Sequence, residues 1–207
     1  MQVLTEYKAE EFLEKNHFNI VERKLFNNLS SALVYAGQIG FPVVLKLCSD
    51  HLAHKSDVNG VRLNVYRENF EKEFRALQKM KIKKDGIVVQ KQLQGKYVLI
   101  GLKKDQTFGH VLVVGIGGIF AEIIKDVSYK VTPVNKKQAK EMLSELKGYK
   151  VLTGYRGERI NIKEVIKAII NVSKLSKKYG NIEELDINPL VVNSREALIV
   201  DARIVFN

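Results

Sequence analysis

An α+β fold in two lobes is predicted, and three observations predict it. Strand-like apolar runs alternate with amphipathic helical segments along the chain. The chain closes on two strand segments joined by a short turn, with no helix between them. Its 207 residues, 45% of them apolar, are enough for one large domain or two small lobes, with a weakly marked boundary near residues 92–97. The expected division is a smaller lobe over 20–92 and a larger one over 97–207, with a helix in 1–19 packing on the body.

The elements follow in order. Residues 5–16 read as a helix, with Thr5 at the N-cap and Ala9, Phe12 and Leu13 on one face. Residues 19–26 read as a strand, 30–39 as a helix ended by Gly40, and 42–48 as a buried strand. "GVRLNVY" alternates like a strand, and "ENFEKEFRALQKM" sets Phe70, Phe74 and Leu77 at helical spacing. "GIVVQKQL", "YVLIGLKK" and "HVLVVGIG" give three more strands. "KKQAKEMLSELKG" and "IKEVIKAIINVSKLSKKYG" are amphipathic helices, each expected to stop at its glycine. "IEELDINPLVVN" and "EALIVDARIVF" are the closing strands. No repeat or low-complexity linker interrupts the series.

Composition narrows the function classes. No apolar run approaches the roughly 20 residues that span a bilayer. The opening "MQVLTEYKAEEF" becomes a charged helix instead of a secretory signal. The single cysteine, Cys48, closes an apolar run, so a buried thiol in a reducing, cytoplasmic interior is expected. The formal charge of +11 is compatible with anionic ligands, a nucleotide among them. The lysines are scattered and not interleaved with aromatics, which argues against a nucleic-acid platform, and no membrane partner is expected.

The closing strands hold the densest candidate chemistry. Side chains alternate across a strand, so Glu184, Asp186 and Asn188 share one face, while Leu185 and Ile187 take the other. In "LIVDARI", Asp201 is out of phase with the apolar Leu198, Val200, Ala202 and Ile204. A turn centred on Ser194–Arg195 sets Asn188 opposite Asp201 if the loop has two or four residues, and four is the expected length because Ser-Arg is not a favoured two-residue turn. An amide oxygen beside a carboxylate, with further carboxylates near, suits Mg²⁺, which takes oxygen ligands and shares itself with phosphates. The same pattern also fits an ordinary polar face of an edge hairpin, with Pro189 marking a bend away from the centre of a sheet.

Other features are weaker when taken singly. Gly115, Gly117 and Gly118 follow a strand and could aim N–H groups at an anion or simply form a tight turn. Lys46 interrupts the apolar "PVVLKLC" and needs a phosphate, an acidic partner such as Asp57, or an exit to solvent. Of four histidines, His51 and His54 sit together in "SDHLAHKSDVNGV", directly after that strand.

Taken together, "FPVVLKLCSDHLAHKSDVNGV", "FGHVLVVGIGGIFAEIIKDVSYKVTPV", "GYRGE" and "EELDINPLVV…DAR", in this order, carry a resemblance. The chain resembles the ATP-grasp domain of the NDP-forming acyl-CoA synthetases, and in particular the small β subunits of the archaeal ADP-forming acetate–CoA ligases. The resemblance runs from "LTEYKAEEFL" to "VDARIVF". It implies an ATP-grasp fold with a nucleotide cleft between its two lobes. It implies interconversion of acyl-CoA, ADP and phosphate with free acid, CoA and ATP through a phosphohistidine relay. It also implies a separate α subunit carrying the CoA-binding domains, in an α2β2 assembly.

By resemblance, His54 of "HKSD" is the catalytic relay, a role imidazole suits as both attacking and leaving group. Lys46 corresponds to the phosphate-contacting lysine, and Asn188 and Asp201 to the Mg²⁺ ligands beside ATP or ADP. Gln90, Gly117, Gly118, Glu122 and Arg156 fall in matched nucleotide-site motifs. Four positions depart from the family pattern. Asn59 stands for a glycine, Lys91 and Tyr97 for glutamates near the boundary, and Lys130 for an arginine. The loss of the two acids leaves a second reading open, a nucleotide-binding or regulatory subunit with weakened turnover.

Overall fold

The structure is a computed structural model, and it describes residues 1–49, 59–117, 125–154 and 159–207. The described chain forms two compact units, Met1–Ile20 with Gln94–Asn207, and Val21–Leu93.

The larger unit is built on a seven-stranded sheet. Its strands are β1 (Gln2–Leu4), β6 (Lys96–Asp105), β7 (Gly109–Ile116), β8 (Val127–Val131), β9 (Ile182–Val192), β10 (Ala197–Ile199) and β11 (Ala202–Phe206). They run in the order β1-β11-β9-β6-β7-β8, with β10 also paired to β9. The helices of this unit are α1 (Glu6–Lys15), α4 (Lys136–Glu145), the single turn α5 (Tyr149–Leu152) and α6 (Ile162–Lys178). Ala9 and Leu13 of α1, Met142 and Leu143 of α4, and Val165, Ile169 and Val172 of α6 form one core with Val98, Ile100, Leu112, Val114, Leu185 and Ile187 of the strands. Those strand residues lie on a single face, because their neighbours in sequence point the other way. The opposite face carries Glu184, Asp186 and Asn188.

In the smaller unit the sheet order is β2-β5-β3-β4, formed by Arg23–Phe26, Gly86–Lys91, Val43–Cys48 and Val61–Val65. Helices α2 (Leu29–Ile39) and α3 (Phe70–Lys79) cover one face. Phe70 and Phe74 stack with ring centroids 6.0 Å apart, and Phe41 meets Phe70 edge-on, also at 6.0 Å. Asn28 caps α2 by accepting from the Ser31 N–H, and Gly40 ends that helix at φ 87, in the left-handed region open to glycine.

Several expectations are corrected. The strand expected over 19–26 is confined to Arg23–Phe26, with Ile20 making only an isolated bridge to Ile199. Strands β1 and β8 are additional. The glycines after α4 and α6 are not their caps: the cap positions are Leu146 and Tyr179. Gly148 instead heads α5, where the Asp126 carboxylate accepts the N–H groups of Lys147 and Gly148, both at 2.8 Å. Thr5 does occupy the N-cap position of α1, in extended backbone, without a side-chain capping bond.

Candidate functional site

The open face of the larger sheet is organised by β9 and β11. Their antiparallel register sets Ala202 opposite Ile187, Arg203 opposite Asp186 and Ile204 opposite Leu185. Ala202, Ile204, Leu185 and Ile187 are buried in the core. The alternate residues therefore face away from it, and Asn188 lies beside Asp201, whose carbonyl accepts the Asn188 N–H at 3.2 Å. The connecting loop, Asn193–Glu196, has four residues, and Asn193 organises it. Its Oδ1 accepts from the N–H groups of Arg195 and Glu196 at 2.8 and 3.0 Å, and its own N–H donates to the Glu196 carbonyl.

The expected edge position of this hairpin is corrected. Strand β9 is central, paired to β6 on one side and to β10 and β11 on the other. Pro189 is tolerated inside it because both neighbours are irregular there. The β6 register shifts between Val98 and Ile100, and the opposing strand breaks at Val200–Asp201. The Pro189 carbonyl still accepts the Val200 N–H at 3.2 Å. This irregularity frees Asn188 and Asp201 from regular ladder geometry.

One register row crosses the open face as Tyr129, Val113, Gly101, Asp186 and Arg203. A β-carbon on Gly101 would come within 2.6 Å of Val113 Cγ1, so this position stays free of a side chain. Arg203 reaches Glu184 at 3.6 Å. Burial raises the Asp186 carboxyl above its ordinary range, the neighbouring Glu184 carboxylate raises it further, and Arg203 partly offsets both. Negative charge is thus concentrated on the strand that carries Asn188, and a cation would relieve it. Among the described residues no group of three or more His, Cys, Asp or Glu forms a metal cage. The donor set is one amide and one carboxylate, which fits Mg²⁺ completed by water and phosphate oxygens rather than an all-protein site.

Asp186 supplies a pH prediction. A carboxyl raised in the folded state holds its proton more tightly there than in the unfolded chain, so it costs stability once ionised. Asp186→Asn is expected to raise the melting temperature at pH 7, and the gain should shrink as pH falls towards the unfolded value of 3.8. A melting series over pH 3–7 checks this, and a gain constant with pH would contradict it.

The smaller unit presents Lys46 and Gln90. Lys46 pairs with Val88 and Val61, and Gln90 with Val44 and Arg23. The parity of these pairs puts Lys46, Val44, Val88 and Gln90 on the face of the sheet opposite the Leu45, Leu47 and Val89 core. Lys46 is only 6% exposed and Gln90 1%, so the exit of Lys46 to solvent is not adopted.

Gly117 directly follows β7 and owes its identity to close packing. Its N–H donates to the Tyr97 carbonyl at 2.7 Å, and a β-carbon would lie 2.9 Å from Tyr97 Cβ. That N–H is therefore committed to the sheet, not to an anion. His54, Gly118, Glu122 and Arg156 lie outside the described residues, as do His51 and Asp57.

The departures from the family pattern also find places. Asn59 sits at φ 52, where glycine is favoured and asparagine is tolerated. Lys130 pairs with Glu141 at 3.0 Å on the core side of β8, away from Asn188. Tyr97 is exposed on the open face beside Gly117. Sequence reasoning did not include Gly101 and Arg203 in the site, because only the strand order sets them beside Asp186.

Comparison with known proteins gives the kinship. The sequence profile of the ATP-grasp domain matches residues 1–206. Acetate–CoA ligase [ADP-forming] I subunit beta of Pyrococcus furiosus is 37% identical over 98% of this chain and 91% of that protein. The dinucleotide-forming acetyl-coenzyme A synthetase 1 of Ca. Korarchaeum cryptofilum, solved with coenzyme A, Ca-AMPCP and HgCl+, superposes with a TM-score of 0.92. It is 33% identical, over 100% of this chain and 94% of that one. The same enzyme solved with coenzyme A and Mg-AMPPCP, its phosphohistidine segment pointing towards the nucleotide-binding site, gives 0.86 at 33% identity. That match covers 99% of this chain and 93% of the other. The chain described here belongs to the ATP-grasp domain family.

Proposed function

We propose that the chain is the nucleotide-binding β subunit of an ADP-forming acyl-CoA ligase, an acetate–CoA ligase in the first instance. The reaction interconverts acyl-CoA, ADP and phosphate with the free acid, CoA and ATP. A separate α subunit carries the CoA-binding domains, and an α2β2 assembly is the stoichiometry tested first. The observation that supports this reading best is the pairing of Asn188 with Asp201 on the open face of the sheet. The Asn188 N–H donates to the Asp201 carbonyl at 3.2 Å, so an amide residue and a carboxylate residue are neighbours across the two strands, and β9 also carries Glu184 and Asp186.

Asn188 and Asp201 would hold Mg²⁺, which when bound neutralises and orients the nucleotide phosphates. Lys46, held in an inner strand, contributes a fixed ammonium to the phosphates, and Gln90 lies on the same face of its sheet. Phosphoryl transfer of this kind depends chiefly on positioning and charge neutralisation. His54 receives the phosphoryl group from a histidine of the α subunit, forming one N–P bond as another breaks. It then passes the group to ADP and returns to free imidazole. Gly118, Glu122 and Arg156 line the nucleotide site in this reading. No helix among the described residues is long and apolar enough to cross a membrane, and a single buried cysteine, Cys48, is in keeping with a cytoplasmic setting.

Reconstitution with a CoA-binding subunit and measurement of ATP formed from acetyl-CoA, ADP and phosphate tests the proposal. His54→Ala is expected to lower that rate by at least about 1,000-fold, with ADP affinity little changed. An unaltered rate would remove the relay. Tight ADP binding without turnover by the native chain would favour the regulatory reading that Lys91 and Tyr97 raise.

A further inference from the structure

Residues 50–58 carry His54, and the chain is anchored on both sides of them. Before them, Ser49 is buried, and its hydroxyl donates to the Lys83 carbonyl at 2.6 Å. The Cys48 carbonyl accepts the Asp85 N–H at 2.8 Å. After them, the Gly60 carbonyl accepts the Leu47 N–H at 2.8 Å, and Val61 pairs with Lys46. The two ends are thus held on the neighbouring strands β3 and β4.

Arg62 adds a second hold on the far end. Its Nε donates to Glu73 Oε2 at 3.0 Å, and its Nη1 donates to the Asn59 carbonyl and, at 3.2 Å, to the Val61 carbonyl. Glu73 stands on α3, where its neighbour Phe74, together with Phe70 and Leu77, locks the helix into the core of the smaller unit. A line of contacts therefore runs from a core helix, through a carboxylate and a guanidinium, to one backbone carbonyl. Asn59 stiffens the same joint. It holds φ 52, in the left-handed region, with fewer accessible conformations than the glycine of the family pattern. The exposed Arg75–Glu71 pair on the same helix has no such reach, and pairs of that kind contribute little. Arg62 differs because its planar fork serves a carboxylate and a carbonyl at once.

We propose that Arg62, oriented by Glu73, is a positioning residue for phosphoryl transfer. By fixing the Asn59 carbonyl it sets where the stretch carrying His54 joins β4, and so governs the rate of the relay and not the tightness of nucleotide binding. The proposal rests on the relay assigned to His54 above and adds to it residues that touch neither phosphate nor imidazole. Group transfer tolerates little displacement, since roughly 1 Å of misplacement can cost about 100-fold in rate.

In the complex reconstituted with a CoA-binding subunit, Arg62→Gln is expected to lower kcat for ATP formation by about tenfold or more, with the KM for ADP changed less than about twofold. Arg62→Lys keeps the charge without the planar fork and should recover part of the rate. Arg75→Gln, which removes the exposed pair of the same helix, should leave the rate unchanged. An unchanged kcat in Arg62→Gln overturns the proposal. So does a parallel loss of kcat and ADP affinity, the mark of a distorted unit. A native rate in His54→Ala would instead remove the relay on which the proposal rests. A second readout needs no turnover. In the full chain the His54 imidazole resonances, identified by their loss in His54→Ala, should shift in Arg62→Gln and keep their places in Arg75→Gln. Resonances that keep their places in both variants overturn the proposal.

Discussion

Replacing Asp201 by alanine is expected to weaken Mg²⁺-dependent nucleotide binding by about a hundredfold or more, and to weaken Mg²⁺-free binding little. Asp201 is the carboxylate of the pair it forms with Asn188, so its removal leaves that pair with a neutral amide oxygen alone. The fold should survive the change. The Asp201 carbonyl, which accepts the Asn188 N–H, remains, and the register of Ala202, Arg203 and Ile204 against β9 does not depend on the side chain. Asp201→Asn keeps the shape and one oxygen and should fall between alanine and the native chain. Calorimetric titration of ADP with and without Mg²⁺ separates the cases. If the metal-dependent increment survives in Asp201→Ala, the cation is held elsewhere.

Gly95→Ala is expected to lower stability by about 2–4 kcal/mol, with a fall in melting temperature of roughly 5–15 °C. The cause is steric. A β-carbon there would lie 2.5 Å from the carbonyl oxygen and 2.9 Å from the carbonyl carbon of Val192. Neither atom can step aside, because Val192 is paired to Lys96 on one side and to Ala197 on the other. Gly37, in the last turn of α2 with nothing within 4 Å of its missing β-carbon, is the control. Alanine there should stabilise by about 0.5–1 kcal/mol through helix propensity and a less flexible unfolded chain. Thermal melts of both variants check the contrast, and comparable melting temperatures would contradict the crowding at Gly95.

Strand β8 shows why some of the fold was not legible in the sequence. Its apolar residues, Tyr129 and Val131, are exposed, while Ser128 and Lys130 face inwards and bond to Glu145 and Glu141 of α4. The alternation is therefore present but inverted, and a reading that assigns apolar residues to the core passes over it. Strand β1 is only three residues long, and its pairing partner, β11, lies at the opposite end of the chain. In the same way Pro189, read locally, argues for an edge. Its place in a central strand depends on irregularities in two neighbours that no local pattern records.

What the sequence by itself determined is the set of facings within each element. Alternation separated Glu184, Asp186 and Asn188 from Leu185 and Ile187, and a loop of either two or four residues set Asn188 opposite Asp201, because a strand's period of two and a short connection leave little freedom. What only the tertiary structure decided is which elements meet. Gly101 and Arg203 flank Asp186, Gly117 presses on Tyr97, and Arg62 joins Glu73 to the Asn59 carbonyl. The reason is physical: facing follows from backbone geometry one residue at a time, whereas strand order comes from burying a common core, whose contacts link segments far apart in the chain.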